Sequence, residues 1–446
     1  MAKKTFTPIP PMAELPPAEE INVKELLEKY LSGEIDLICV LGPTASGKTR
    51  YAVSLARQIN HLLARYAMKK QAECSDQGQY NDQVSCLSNA PWAVSASEKR
   101  ATPLAAGGGA HDEGVGGVLF AADPSEGAGA NIKSEASGCQ GSVLPPWPQG
   151  EGPAPKEWER FCPGSHMPLT QKRAEIISAD SRQVYRGMDI GTGKDLSEYE
   201  EIPYHLMDIV DAGTKYNIFE YQRDFEKAYK DIVDRGCIPI LCGGSGLYIE
   251  AATCGYSLPE VPPDPDLRAE LEKKSDDELI AQLASLKPLH NNTDYDTRKR
   301  LIRALEIAIY EAEHPVQRTS FLPKNTYYIG TLVSRDERNA RIDRRLDARI
   351  EEGMIDEIRG LIDGTHPALC TEDEAGNTIP GTPIPAEDLI YYGLEYKFVT
   401  LHVTGELTLE EMRTQLATAI HQFAKRQMTW FRGMERKGIR IHWTNV

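Results

Sequence analysis

Residues 36–41, 174–179 and 238–241 are short, mainly apolar stretches without regular polar alternation. Runs of this kind predict strands buried on both faces, as in a parallel sheet covered by helices. The first stops at Gly42, and from about Gly47 the spacing changes, with Tyr51, Leu55 and Ile59 recurring at helical intervals. The second ends at Asp180, and the third runs into Gly243-Gly244 before another helical pattern. Strands separated by helical segments predict an α/β fold whose ligands sit beyond the carboxyl ends of the strands.

Elsewhere the pattern breaks this alternation. Residues 1–33 read as an N-terminal extension. Residues 61–172 are dominated by Gly, Ala, Ser and Pro, with GGGA, GAGA and VLPPWPQG and no sustained period, which predicts a mostly disordered insertion emerging from the surface. Residues 258–325 read as successive helices with Pro-rich punctuation, a small helical domain inserted between strands. Residues 327–333 predict a returning strand, and the rest is mainly helical, ending in a strand candidate at IRIHW. The core is thus assembled from residues 34–60, 173–257 and 326–446, with no internal repeat.

Composition narrows the classes. The chain has 446 residues, 41% hydrophobic and 26% charged, which suits two or three domains and excludes a peptide, a fibre or a wholly disordered chain. With 50 Lys and Arg against 66 Asp and Glu, the net charge is -16, so any polyanion must be met by local basic patches. No apolar run approaches the roughly 20 residues that span a bilayer, and the N-terminus lacks a signal core. The expected location is the cytoplasm. Of nine cysteines, Cys39, Cys237 and Cys242 fall in apolar runs and read as core; Cys74, Cys86, Cys139 and Cys162 are too irregularly spaced for a zinc site.

The sharpest motif is Gly42-Pro43-Thr44-Ala45-Ser46-Gly47-Lys48-Thr49, a GxxxxGK[ST] phosphate loop between a strand and a helix. Glycines let backbone amides turn around phosphates, the helix N-terminus adds positive potential, Lys48 neutralises terminal oxygens, and the Thr49 hydroxyl suits Mg²⁺. Asp180 ends a neighbouring strand and faces the same crevice, as a proton acceptor, a holder of metal-bound water or simply a cap. In Gly243-Gly244-Ser245-Gly246, the glycines suit either close backbone approach or a tight turn, and Ser245 can donate to a leaving oxygen. Residues 413–440 carry seven Lys or Arg and one acid, with Trp430 and Phe431 interleaved, while Arg298, Lys299, Arg300 and Arg303 cluster on another helix. Cations beside aromatic rings suit single-stranded RNA as well as a solvated helix face.

Taken together, the chain resembles the tRNA dimethylallyltransferases, also called isopentenyl-tRNA transferases. The resemblance is carried, in the family's order, by GPTASGKT, ISADSRQVYRGMDIGTGK, IPYHLMDIVD, IPILCGGSGLYI, RLIRALE, ARIDRRLDARIEEGMIDEI and AKRQMTWFR. It covers most of the chain outside residues 1–33 and 61–172. It implies a P-loop NTPase-like parallel sheet core, an inserted helical domain and a helical C-terminal part. It also implies an enzyme that moves a dimethylallyl group from dimethylallyl diphosphate to the N6 amine of the adenosine at tRNA position 37, with Mg²⁺, giving N6-isopentenyladenosine.

Residue by residue, the resemblance implies that residues 42–49 grip the diphosphate rather than ATP and that Asp180 takes the N6 proton. Ser245 stands where the family usually has Thr at the bridging leaving oxygen, Lys48 neutralises charge, and Thr49 serves the metal. tRNA contacts are implied for Ser181, Arg182, Gln183 and Val184, for Arg268, for Lys299, Arg300 and Arg303, and for Lys425, Arg426, Gln427, Thr429, Trp430 and Arg432. The expected partner is the tRNA anticodon stem-loop and the expected state a monomer. Two departures stand out: His421 replaces a common Arg, and Tyr392-Gly393-Leu394-Glu395 replaces the usual Gly-Tyr-Lys/Arg-Glu turn. The rival readings are a P-loop small-molecule kinase, which needs a paired-arginine lid over ATP, an adenylate isopentenyltransferase acting on free nucleotide, and an RNA-binding protein with a relic phosphate loop.

Overall fold

A computed structural model describes residues 16–76, 173–254, 261–287, 297–314, 323–373 and 376–446. Its strands are β1 (Leu37–Leu41), β2 (Ala174–Ser178), the two-residue β3 (Tyr185–Arg186), β4 (Tyr204–His205) and β5 (Val210–Asp211), β6 (Ile238–Gly243), β7 (Thr326–Leu332), the paired β8 (Thr371–Glu372) and β9 (Thr378–Ile379), and β10 (Ile441–Asn445). The main sheet has six strands in the order β10-β7-β1-β6-β2-β4, every adjacent pair parallel. β1, β6 and β2 are neighbours, so the segments after all three emerge side by side at one edge.

The helices are α1 (Val23–Leu31), α2 (Lys48–Asp76), α3 (Ile218–Asp234), α4 (Gly246–Thr253), α5 (Pro265–Leu271), α6 (Asp276–Leu286), α7 (Arg298–Glu313), α8 (Arg335–Glu351), α9 (Met354–Asp363), α10 (Ala386–Leu389), α11 (Leu394–Val403) and α12 (Leu409–Arg436). Among the described residues, none is long and apolar enough to cross a membrane. β1 shows why its sequence lacks alternation. Ile38 and Val40 pack with Leu55, Ala56 and Ile59 of α2 and Leu26 and Leu27 of α1, whereas Leu37, Cys39 and Leu41 join the opposite core with Tyr221, Phe225 and Ile232 of α3.

Two of the expected boundaries move. Residues 23–31 belong to the α/β core rather than to a free extension, because Leu26 and Leu27 are buried in it. α2 continues to Asp76, past residue 60, and Leu63 and Ala67 are buried along the added turns. The Asn60 side chain still accepts from the Ala174 amide, 2.7 Å away, so α2 reaches the start of β2 there and then overshoots the sheet. Residues 77–172 and Cys86, Cys139 and Cys162 lie outside the described residues. Helices α5, α6 and α7 pack around a core of their own at Leu271, Leu279, Leu283, Leu301 and Leu305.

One charge is built into the sheet itself. Glu175 in β2 is 1% exposed and receives both arms of Arg235, each at 2.7 Å, with His205 at 2.8 Å and Arg173 at 3.1 Å. Burial alone would raise its pKa, but the hydrogen bonds from Arg235 and His205, the Arg235 charge and Arg173 outweigh it and hold the carboxyl well below the usual range. A carboxylate depressed in the folded state contributes stability above its unfolded pKa and loses it as pH falls toward the folded one. Glu175→Gln is therefore expected to cost about 2–3 kcal/mol in urea unfolding at pH 7, because it removes the buried charge that Arg235, His205 and Arg173 converge on and leaves Arg235 with Asp231 alone. The gap from the unaltered protein should narrow as pH drops below about 4, where Glu175 of the unfolded chain takes up a proton that the folded carboxylate still refuses.

Candidate active site

The phosphate loop leaves β1 at Gly42 through a passage with no space for a side chain. A Cβ there would lie 2.1 Å from Thr331 Oγ1 and 2.6 Å from Ser46 Oγ, and those two hydroxyls hydrogen-bond at 2.6 Å in a sealed position. Ala45 (φ 58°) and Gly47 (φ +81°) take left-handed backbone conformations on either side of Ser46. Such reversals of hand gather successive amides into an anion nest, and α2 adds its N-terminal dipole from Lys48 onward. Lys48 and Thr49 are half-buried at the floor of this cleft.

Asp180 follows β2, one strand beyond β6. Its Oδ1 accepts from the Arg182 amide at 2.9 Å, so part of its role is local: it closes a turn rather than capping a helix. The ends of β2 and β6 are pressed together, since a Cβ on Gly243 would stand 2.3 Å from the Ala179 carbonyl oxygen. Ser245 is tied to the same corner. Its amide donates to Ala179 O at 3.3 Å, and its Oγ accepts from the Ser181 amide at 3.2 Å. Burial pushes the Lys48 ammonium down from its ordinary pKa, the Asp180 carboxylate opposes this, and Arg345 and Arg349 add to the depression by repulsion.

Those two arginines are further candidates, which no motif in the sequence marks. Arg341, Arg345 and Arg349 recur at intervals of four along α8, which puts them on one face. That face lies over the cleft: a Cβ on Gly47 would lie 3.9 Å from Arg341 Nη1, and one on Gly193 would lie 1.5 Å from Arg349 Nη2. Arg345 pairs with Asp195, and Arg349 lies 4.0 Å from Asp195 and 3.9 Å from Glu395. Burial pushes Arg349 down, with Arg345 adding repulsion. Burial likewise raises Glu395, against the pull of Arg349. The available signal was the four-residue spacing within ARIDRRLDARIEE, hidden among many other charges.

The remaining candidates divide. Val184 is fully buried in the main core, so its side chain offers no RNA contact, and Gln183 is turned inward, donating to Gly193 O at 3.0 Å and accepting from Ser178 Oγ at 3.1 Å. Arg268 grips the buried Glu306 through bonds of 3.0 and 2.8 Å, and Arg303 joins the same carboxylate. Both arginines therefore organise the helical domain. Lys299, Lys425 and Thr429 are exposed, and Ser181, Arg182, Arg300 and Arg432 are half-buried. Arg426 sits 5.9 Å from the Phe423 ring centroid. Gln427 is buried, and Trp430 packs on Gly246, where a Cβ would stand 2.2 Å from Trp430 Cδ1.

The MDIGTGK segment is structural. Lys194, 1% exposed, donates to Tyr185 O at 2.6 Å and to Asp189 at 2.5 Å and also bonds Asp208. Glu357 accepts the amides of Asp189, Ile190 and Gly191 at 2.9, 2.7 and 3.0 Å and the Tyr396 hydroxyl at 2.7 Å. These buried bonds hold the loop after Asp180 against α9 and α11.

A phosphate-loop sequence after β1, a carboxylate after β2, a hydroxyl after β6 and a facing row of arginines, set on one parallel sheet, define a P-loop-type α/β protein. Within that class, the chain belongs to the IPP transferase family, whose model matches residues 183–434. That match leaves out the phosphate loop, which the sheet brings to it through the β1–β6 pairing. The chain is 58% identical over 276 residues to tRNA dimethylallyltransferase 2 of Porphyromonas gingivalis, covering 61% of this chain and 85% of the relative. It is 53% identical over 277 residues to tRNA dimethylallyltransferase 2 of Bacteroides fragilis, covering 61% and 84%. Among solved structures, it is similar to the full-length tRNA isopentenylpyrophosphate transferase of Bacillus halodurans, with 32% identity, 61% of this chain and 81% of the other covered, and a TM-score of 0.40.

The seat of Trp430 gives a direct test of this geometry. Gly246→Ala should force the indole off α4, red-shifting tryptophan emission and costing about 1–3 kcal/mol in thermal or urea unfolding. Unchanged emission and stability would contradict the close approach of α12 to α4.

Proposed function

We propose that this chain transfers a dimethylallyl group from dimethylallyl diphosphate to the N6 amine of the adenosine at tRNA position 37, next to the anticodon, as a cytoplasmic monomer. What carries the reading is the convergence, at three neighbouring strand ends, of an anion nest with Lys48, the carboxylate of Asp180 and the hydroxyl of Ser245, facing Arg345 and Arg349. An exocyclic adenine amine is a poor nucleophile, and diphosphate leaves readily only when its growing charge is met. A base and a cation cradle held in one cleft answer both needs.

In this reading the amides of residues 42–49 and Lys48 hold the diphosphate, with Arg345 and Arg349 closing over it. The N6 nitrogen attacks the allylic carbon as the carbon–oxygen bond to diphosphate breaks, and Asp180 takes the proton lost from the amine. Ser245 donates toward the bridging oxygen that carries the new charge. The donor set suits Mg²⁺: a Thr49 hydroxyl beside phosphate oxygens supplies hard ligands, and the described residues hold no cluster of three His, Cys, Asp or Glu that would cage a metal without substrate. Bound there, Mg²⁺ would neutralise part of the leaving group's charge. Lys299, Arg300, Lys425, Arg426, Thr429, Arg432, Ser181 and Arg182 are proposed to meet the anticodon stem-loop, and the target base must leave its stack to reach the cleft.

The test is mass spectrometry of nucleosides from unmodified tRNA incubated with the enzyme and dimethylallyl diphosphate, run beside ATP with small alcohols or acids. N6-isopentenyladenosine is the expected product; phosphoryl transfer from ATP without prenylation would favour the kinase. Asp180→Asn keeps an oxygen for the Arg182 amide but removes the base. It is expected to lower single-turnover transfer by about 10²–10⁴ while tRNA affinity stays within twofold. Asp180→Ala should lose at least as much. Arg345→Ala is expected to raise the KM for the diphosphate about tenfold, a loss typical of one charge-assisted bond. Normal transfer by Asp180→Asn with failed RNA binding would overturn the assignment of the base.

A further inference from the structure

Gln427 lies in the middle of AKRQMTWFR, the helix segment that the family resemblance gives to RNA, yet it is 8% exposed and both ends of its amide are engaged away from the surface. Its Oε1 accepts from the Thr44 amide of the phosphate loop at 2.8 Å. Its Nε2 donates to the Gly244 carbonyl at 2.9 Å, in the turn that presents Ser245. A Cβ on Gly244 would stand 2.6 Å from Gln427 Nε2 and 3.2 Å from the Gly42 carbonyl oxygen, so the three segments meet with no room between them. Trp430, three residues on and therefore on the same face of α12, occupies Gly246 in the same way.

A glutamine suits this place because it offers one acceptor and one donor on a single planar group. The Thr44 amide is a donor and the Gly244 oxygen an acceptor, so only one orientation of the amide satisfies both. Thr44 and Gly244 each lie between a strand and a helix rather than within either, so the Gln427 amide ties them together beyond what the sheet does. Their separation sets how far the phosphate nest lies from the Ser245 hydroxyl. That makes Gln427 the connection between the helix that faces RNA and the two loops proposed to hold the leaving group.

We propose that Gln427 is a positioning residue, not an RNA contact: it latches the phosphate loop to the Ser245 turn and sets the spacing in which a diphosphate binds. The latch itself rests on the geometry, and its consequence for the diphosphate rests on the function proposed above. Two variants separate its bonds. Gln427→Met keeps the length and shape of the side chain but removes both bonds, whereas Gln427→Glu keeps the acceptor for Thr44 and places a second oxygen against Gly244 O.

The latch is read without ligand, by hydrogen exchange of the full-length protein. Amide exchange in residues 42–47 is expected to accelerate about tenfold in Gln427→Met and less in Gln427→Glu, consistent with the loss of one protecting bond. Its consequence is read with inorganic pyrophosphate and Mg²⁺ by calorimetry. Both variants should weaken pyrophosphate binding by about tenfold, and affinity for an anticodon stem-loop RNA should stay within twofold. Lys425→Ala should do the reverse. Unchanged exchange in Gln427→Met, or loss of RNA affinity with intact pyrophosphate binding, would overturn the proposal. If the unaltered protein binds no pyrophosphate while exchange still responds to Gln427→Met, the proposed function fails and the latch stands.

Discussion

Positive charge held against itself is the constraint on which this structure depends. Lys48, Arg345 and Arg349 face a common cleft, and burial together with their mutual repulsion lowers the pKa values of Lys48 and Arg349. Asp180, Asp195 and Glu395 offset only part of that charge, and Glu395 is itself raised by burial. Such an arrangement is unfavourable when empty and becomes favourable when a polyanion enters, because fixed charges in a cleft need little reorganisation to meet charge on a ligand. Stability surrendered here must be recovered elsewhere in the fold.

It is recovered in buried polar ties that surround the cleft. Lys194 holds the loop after Asp180 from one side, and Glu357 gathers three amides of that loop from the other. Gln427 joins the phosphate loop to the Ser245 turn. Each of these side chains is almost fully enclosed, where an unmet polar atom would be expensive, so each bond specifies one arrangement of the loops rather than merely favouring compactness. The glycines serve the same end. Gly42, Gly244 and Gly246 are places where a neighbouring side chain occupies the volume that a Cβ would take.

Much of this was legible in the sequence, and what was not has identifiable causes. β1, β2, β6 and β7 were visible because apolar residues at both parities must face two cores, β10 because Ile441 and Trp443 alternate with polar residues toward one, and the phosphate loop because its glycines and Lys-Thr fall at a strand–helix junction. The two-residue strands β3, β4, β5, β8 and β9 are too short to carry a period. The end of α2 was hidden because, between residues 61 and 69, only Leu63 and Ala67 are buried, too few to sustain a helical pattern. Charged residues were the least readable. Nothing local distinguishes Arg268 and Arg303, which neutralise the buried Glu306, from Lys299, which is exposed on the same helix as Arg303, because burial of the shared carboxylate is decided by packing between helices. Gln427 is harder still, since its partners lie 383 and 183 residues away.

That sorting of charge also bears on how an acidic protein approaches RNA. A net charge of -16 repels a polyanion at long range, but screening confines exposed charges to about 8–10 Å in physiological salt, so a docking RNA senses the nearest patch rather than the whole molecule. Several basic side chains are already committed to carboxylates of the protein: Arg268 and Arg303 to Glu306, Arg235 to Glu175, Lys194 to its loop and Arg413 to Asp347 on α8. Lys299 on α7 and Lys425 on α12, by contrast, are exposed. Under the proposed function, exposed lysines on an acidic body favour docking where they stand, since a phosphate backbone elsewhere meets repulsion. Because α12 also carries Gln427 and Trp430 on its inner face, the helix proposed to meet RNA on one side is the one that ties the phosphate loop to the Ser245 turn on the other.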